Sequence, residues 1–166
     1  MLPILLTKTT RIGLAGQGDG LGRRAALLVE AGVNPVLLAV GAEDGELAGL
    51  RLLFVAGLPE ADARPLAARA RGKGVLVNVE DVPDLCDFHV PAIVRRGDLV
   101  LSVSTGGRVP GLARRLRESL ERQFGPEWSG RLDELSDARE SWRAEGLAPQ
   151  DVSRRTRERI AERGWL

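Results

Sequence analysis

The chain holds one cysteine, Cys86, and one histidine, His89, among its 166 residues. A single thiol excludes an internal disulfide and a cysteine zinc site, and a single imidazole excludes a histidine-built metal cage within one chain. Aromatic side chains are few, with three Trp, three Phe and no Tyr, so the stacking platforms that grip single-stranded nucleic acid have little to be built from. No apolar run reaches the length that spans a bilayer. The opening residues Met1-Leu2-Pro3-Ile4-Leu5-Leu6 show neither a basic leader region nor a small-residue cleavage site, so a secretory signal is not expected. These absences predict a cytoplasmic protein with no membrane and no nucleic-acid partner.

What remains is ordinary globular composition, at a length that allows one domain with a core and a modest extension. The formal net charge of +1 hides an asymmetry: residues 1–90 carry 9 basic and 11 acidic side chains, residues 91–166 carry 15 and 12. Most of the excess lies in 91–122, where Arg95, Arg96, Arg108, Arg114, Arg115, Arg117 and Arg122 face only Asp98, Glu118 and Glu121. Such a surface suits an anionic ligand. A solvated helix face explains it equally well.

Short apolar runs alternate with helical patterns through the first half. Ile12–Ala15 reads as a strand and Gly22–Ala31 as a helix, with Leu21, Ala25, Leu28 and Val29 on one face and Gly32 as its stop. Val36–Val40, Leu52–Ala56 and Val75–Val79 read as further strands, and Ala61–Arg71 as a helix whose start Pro65 limits. This succession implies an α/β fold with a mainly parallel sheet covered by helices. After Pro83 the pattern changes. Val90–Val94 and Leu99–Val103 read as a hairpin closed by the four-residue turn Arg95-Arg96-Gly97-Asp98. Three helices are expected beyond it, at Leu112–Phe124, Trp128–Arg143 and Val152–Arg163.

The most informative local motif is Gly16-Gln17-Gly18-Asp19-Gly20-Leu21-Gly22, set between a strand and a helix. In a dinucleotide-binding turn the first glycine permits the bend, the second lets backbone approach a pyrophosphate, and the third lets helix and sheet pack closely. The helix N-terminus then offers free N–H groups and a partial positive charge. Here the spacing is G-x-G-x-x-x-G ending at Gly22, or G-x-G-x-G-x-G counting Gly20, a loose fit to G-x-G-x-x-G, so spacing alone leaves open a tight turn that binds nothing. The acidic residue that holds an adenosine ribose in such folds has only Glu43 and Asp44 as candidates, both past the end of the second strand. Backbone around Val40 and Gly41 is the alternative. No Arg or Lys stands there for a 2′-phosphate, which favours NAD over NADP.

Further along come Asn78-Val79-Glu80-Asp81-Val82-Pro83, then Phe88-His89-Val90-Pro91-Ala92, then Arg95-Arg96-Gly97-Asp98-Leu99. Ser102-Val103-Ser104-Thr105-Gly106-Gly107-Arg108-Val109-Pro110 and Leu112-Ala113-Arg114 follow. With Leu2-Pro3-Ile4 and the glycine turn, this series resembles the precorrin-2 dehydrogenase/sirohydrochlorin ferrochelatase family, the N-terminal part of fused siroheme synthases. The resemblance covers residues 2 to about 124. It implies a Rossmann-type NAD-binding domain over 1–88, a dimerisation segment over 89–124 and a short helical tail over 125–166. It implies oxidation of precorrin-2 to sirohydrochlorin with NAD as acceptor, in some members followed by Fe2+ insertion, in a homodimer.

Residue by residue, the resemblance places Asp19 and Gly20 by the dinucleotide phosphates and Val40 and Gly41 by its adenosine part; Gly16 and Gly18 of the turn and Asn78 are further candidate cofactor contacts. Asp81 matches the family's essential aspartate. It is the candidate base for the proton that leaves with the hydride, and any transient Fe2+ is expected near it. Position alone reads Asp81 equally as a turn aspartate bonded to its own backbone before Pro83. His89 is a second candidate base, or a structural histidine. Arg95, Arg96, Arg108 and Arg114 are candidate clamps for the carboxylates of the substrate. Ser104-Thr105-Gly106-Gly107 suits carboxylate binding through hydroxyls and backbone N–H groups, and suits a plain strand-to-helix turn as well. The chain departs from the family at Gly57-Leu58-Pro59, where a Thr-Asp or Thr-Asn pair is usual, at Val109 in place of serine, and at Gln17 in place of glycine. Its tail is short. These departures motivate an alternative, a non-catalytic NAD- or tetrapyrrole-binding sensor.

Overall fold

A computed structural model describes residues 9–166, so Leu2-Pro3-Ile4 lies outside the described residues. The chain forms two compact units that meet at Val90 and Pro91, two residues beyond the boundary expected from sequence. The segments expected as separate, 89–124 and 125–166, contribute to one second unit.

The first unit is a four-stranded parallel sheet built from β1 (Ile12–Gly16), β2 (Val36–Leu38), β3 (Leu52–Ala56) and β4 (Leu76–Val79), in the order β2-β1-β3-β4. Its strands are apolar on both faces, as a sheet covered on both sides requires. Ile12 and Leu14 of β1 and Leu52 and Phe54 of β3 point to one face, where Leu28 of helix α1 (Gly18–Glu30) joins them. Ala15, Leu53, Val55, Val77 and Val79 point to the other, against Ala63, Leu66, Ala67 and Ala70 of α3 (Glu60–Gly72). Phe88 closes the first face by an edge-on contact with Phe54, ring centroids 5.2 Å apart. This is a doubly wound, Rossmann-type arrangement. The chain leaves β1 toward β2 and leaves β3 toward β4, so the order reverses between β1 and β3 and opens a crevice at their carboxyl ends.

Several element bounds differ from the sequence reading for local reasons. Helix α1 begins at Gly18, not Gly22, because Gly18 and Gly20 enter the first turn rather than a loop before it. Strand β2 stops at Leu38, which leaves Val40 and Gly41 exposed beyond it. Pro65 does not set the start of α3, which begins five residues earlier at Glu60. Proline there removes one N–H from the ladder, and both Pro65 and the Ala61 carbonyl it would have bonded belong to exposed residues. A short helix, α2 (Asp44–Leu47), fills the link to β3. Glu43 and Glu46 form its capping box, with the Glu43 N–H donating to Glu46 Oε2 at 2.8 Å.

The loop after β4 is tied back onto the sheet. A single 3₁₀ turn spans Pro83–Leu85. Asp87 then accepts from the Val77 N–H at 2.8 Å and from Arg71 Nε at 3.0 Å. Burial pushes the Asp87 carboxyl up, but these donors outweigh it and hold it below the usual carboxylate range.

In the second unit β5 (Ala92–Arg96) pairs antiparallel with β6 (Leu99–Val103), Arg96 opposite Leu99. The turn is therefore the two residues Gly97-Asp98, not four, and Arg95 and Arg96 belong to the strand. Gly97 has φ +59 while Asp98 does not share a positive φ, the pattern of a type II′ hairpin turn. Helices α4 (Pro110–Gln123), α5 (Trp128–Ala144) and α6 (Pro149–Glu162) complete the unit. Trp128 packs against Phe124, with Arg131 set over its ring at 4.9 Å. Glu134 of α5 receives Arg159 at 3.3 Å and Arg163 at 2.7 Å from the far end of the chain. No helix among the described residues is long and apolar enough to cross a membrane.

Two stability predictions follow from the first unit. Gly57, at φ +68, would drive a Cβ into the Gln17 carbonyl oxygen, so Gly57→Ala should cost about 1–3 kcal/mol or more, read as a lower melting temperature. Asp87→Asn should cost about 1–3 kcal/mol at pH 7. Because the folded carboxyl is depressed, its contribution is full above the unfolded value of about 3.9 and is lost as pH falls through the lower folded value. The gap between native and variant melting temperatures should thus be wide at pH 7 and close on acidification below about pH 4. Equal melting at pH 7 would exclude the tether.

Candidate functional site

The crevice at the carboxyl edge of the first unit is built on close approach between two turns. Gly16 ends β1 where a Cβ would strike the Ala56 carbonyl oxygen. The Gln17 N–H donates to that same oxygen at 3.2 Å. A Cβ on Gly20 would lie 2.7 Å from the Gly57 nitrogen and 2.8 Å from its Cα. Only glycines at 16, 20 and 57 let the β1–α1 turn lie on the β3–α3 turn. Gly20, not Gly22, thus serves the close packing of helix on sheet, and the spacing that looked loose in sequence is the working one. The same contact accounts for Gly57 where the resemblance led one to expect threonine.

The first turn of α1 is arranged to receive an anion. Gly18, Asp19 and Gly20 carry N–H groups that precede the first intrahelical acceptors. Gln17 caps the helix without a side-chain hydrogen bond. Gly18 sits at φ +58 with open space where a Cβ would be, so backbone there is open to a ligand's phosphate. A glycine-walled crevice with an uncapped helix start fits a dinucleotide. Glu43 and Asp44, weighed as ribose partners, are committed elsewhere. Glu43 caps α2, and Asp44 meets Lys73 at 3.0 Å and Arg69 at 3.3 Å. The Lys73 hydrogen bond, with the Arg69 charge, holds the Asp44 carboxyl below its usual range.

Asp81 stands just past β4, exposed, at φ +61, the one non-glycine residue with positive φ among the described residues. Aspartate tolerates this conformation better than most side chains, and an exposed reactive-edge residue held there is a common mark of a functional turn. Beside it lies a charge cluster that sequence reasoning did not single out. Glu80 is 3.7 Å from Arg23, and Arg24 lies 5.2 Å over the Phe54 ring. Burial pulls the Arg24 guanidinium down from its usual range, while the charges of Glu80, Cys86 and Asp81 act the other way. The signal available in sequence was the pair Arg23-Arg24 one turn into α1, on the crevice side of the glycine motif.

Asn78 is spent on structure rather than left open to a cofactor. It is 6% exposed, and its Nδ2 donates to the Phe88 carbonyl at 2.9 Å and to Cys86 Sγ at 3.4 Å. His89 is exposed in the same loop.

The remaining candidates lie in the second unit. Arg96 donates from Nε to the Phe124 carbonyl at 2.8 Å and from Nη2 to the Glu121 carbonyl at 3.3 Å. It caps the end of α4, so its donors are used, and it is corrected from clamp to cap. Arg114 is paired with Glu118 at 3.1 Å, and this bond helps hold the Glu118 carboxyl low. Arg95 and Arg108 form no ion pair among the described residues. In the turn between β6 and α4, Ser104 Oγ accepts from the Gly106 N–H at 3.2 Å and Thr105 Oγ1 from the Val109 N–H at 3.3 Å. Gly106 and Gly107 both have positive φ, so this segment is a glycine-bent strand-to-helix turn with Arg108 exposed on it. The site residues therefore fall into two sets. One lies at the crevice of the first unit; the other is divided in the second unit between the start of α4, with Ser104 to Arg108 and Arg114, and the end of β5, with Arg95 and Arg96.

Known proteins match this chain in part or whole. Residues 40–92 match the profile of a family described as "Putative NAD(P)-binding". The chain is 36% identical over 130 residues to the siroheme synthase of Methylococcus capsulatus, covering 65% of this chain and 27% of that protein. It is 34% identical over 175 residues to the siroheme synthase of Pseudomonas aeruginosa, covering 93% and 37%. The chain thus spans about a third of the length of such curated relatives. A solved structure of the precorrin-2 dehydrogenase SirC superposes with a TM-score of 0.72 at 18% identity, covering 96% of this chain and 89% of that one. Over 93% of its length the chain is thus similar to part of a siroheme synthase, and it shares its fold with the precorrin-2 dehydrogenase SirC.

Proposed function

We propose that the protein oxidises precorrin-2 to sirohydrochlorin with NAD as the acceptor, within siroheme biosynthesis. The observation that carries this reading is the juxtaposition, at one sheet edge, of the glycine-walled crevice and the outlying Asp81. Gly16, Gly18, Asp19 and Gly20 hold the pyrophosphate through backbone, and Val40 and Gly41, exposed past β2, hold the adenosine end. When bound, NAD supplies the carbon that accepts the hydride. Asp81 takes the proton that leaves with it. Its exposed carboxylate sits where open α/β sheets place ligands, and a carboxylate is a competent base for a proton made acidic by loss of the hydride. Of the four candidate clamps, Arg108 and Arg95 are the two left to meet substrate carboxylates.

Fe2+ enters this reading only as a second substrate. Its insertion displaces two pyrrole protons, and Asp81 is the carboxylate placed to accept them. A lone thiol such as Cys86 suits the reducing cytoplasm, where we place the reaction.

The protein is further proposed to act as a homodimer through α4. That helix contains no buried residue, and Val109, Leu112 and Leu116 are 51%, 49% and 45% exposed. Their spacing puts them on one face, an apolar stripe of the kind that a second copy covers.

In an anaerobic assay the purified protein should convert precorrin-2 to sirohydrochlorin only with NAD, and a parallel assay with Fe2+ reads chelation separately. Asp81→Ala should lower turnover at least a hundredfold by the usual worth of a general base, roughly 10²–10⁴, with NAD affinity unchanged. Turnover retained by the variant would remove Asp81 from the chemistry. Leu116→Glu should convert the sedimenting species from dimer to monomer, and an unshifted dimer would exclude the α4 face.

A further inference from the structure

We propose that Glu80 recognises the second ribose of the dinucleotide, the one that carries the nicotinamide, by accepting hydrogen bonds from its hydroxyls. This rests on the NAD reading above and adds to it a residue outside the glycine turn.

The argument starts from strand order. With β2-β1-β3-β4 across the sheet, a dinucleotide whose adenosine end lies by β2 and whose pyrophosphate lies by α1 must carry its other half toward β3 and β4. Glu80 is the first residue after β4. Its N–H donates to the Val55 carbonyl at 2.9 Å, which fixes its backbone to β3. From there its side chain reaches back across the end of β3 to the glycine turn, where Oε2 is 2.7 Å from the place a Gly20 Cβ would take. The carboxylate thus forms a wall of the crevice itself, and it can do so only because residue 20 has no side chain.

Its bonding is unfinished. The Glu80 side chain is 21% exposed, and Arg23 stands 3.7 Å away, beyond hydrogen-bond range. Among the described residues no group donates a hydrogen bond to this carboxylate. A carboxylate in a crevice whose acceptor positions are open can take donors from a ligand, and an ionised carboxylate is acceptor only. A ribose supplies two adjacent O–H donors, which is how acidic residues hold ribose in dinucleotide folds. The acids at the usual adenosine-side position, Glu43 and Asp44, are committed to a helix cap and to Lys73 and Arg69. Glu80, held only by the ion pair to Arg23, stands at the opposite end of this crevice. A phosphate is the wrong partner for Glu80, being an anion. Arg23 and Arg24 nearby offset its charge, so the ligand's own negative charge is not turned away.

The test is calorimetric binding of NAD, ADP-ribose and ADP to the full chain and to Glu80→Ala and Glu80→Gln, with melting temperatures recorded for each. ADP-ribose keeps the second ribose and ADP lacks it. Glu80→Ala should weaken NAD and ADP-ribose roughly tenfold to hundredfold, the range for hydrogen bonds to a charged group, and leave ADP within about twofold. Glu80→Gln, which keeps one acceptor oxygen, should fall between. Unchanged binding of NAD by both variants would overturn the inference and leave the NAD reading intact. So would tighter ADP binding, which marks repulsion of phosphate, or equal weakening of all three with a lower melting temperature, which marks a structural role. Failure of the native chain to bind NAD at all would instead overturn the NAD reading, and this inference with it.

Discussion

Gly20 of the β1–α1 turn rests on Gly57 of the β3–α3 turn with no room for a Cβ between them, and the first unit depends on that contact. It lets α1 start directly at the sheet edge, so the first N–H groups of the helix open into the crevice rather than into a loop. It also leaves the space that Glu80 fills from β4. Any side chain at these positions separates the two turns and moves the helix start away from the ends of β1 and β3. The chemistry proposed for this edge is thus set by a steric condition in backbone, not by a single reactive group.

Around that contact the sequence distributes its charge unevenly. At the sheet edge, Glu80 and Asp81 stand with Arg23 and Arg24, and none of the four is closed into a hydrogen-bonded ion pair among the described residues. Elsewhere the acids and bases are largely matched: Asp87 with Arg71, Asp44 with Lys73, Glu118 with Arg114, Glu134 with Arg159 and Arg163. Paired charges at exposed positions contribute little to stability and serve mainly to hold helices and loops in place. Charges without hydrogen-bonded partners at a crevice are where a ligand can find its own.

The second unit shows the opposite economy. Its basic excess, which in sequence suits an anionic ligand, is mostly used internally. Arg96 caps α4, Arg114 and Arg115 hold Glu118, and Arg131 lies between the rings of Trp128 and Trp165. Arginine serves these roles because its planar, multiply donating head meets carbonyls, carboxylates and aromatic faces equally well. Of the candidate clamps, those without an ion pair are Arg95 on β5 and Arg108 at the start of α4.

The sequence by itself determined the parallel α/β class, the hairpin, the three later helices and the family resemblance, because strand and helix periods and the ordered motifs from Asn78 to Pro110 are local properties of the chain. It also determined which turn carries the glycines. It did not decide which glycine packs and which binds, since that depends on Gly57, 37 residues away from Gly20 in sequence and in contact in space. Nor did it decide the fates of Asn78 and Arg96. Each looked like a ligand group until the Phe88 carbonyl and the end of α4 were seen to take its donors. Tertiary structure settled these points because a polar side chain bonds whatever the fold brings within about 3 Å, and residue type alone carries no record of that neighbour.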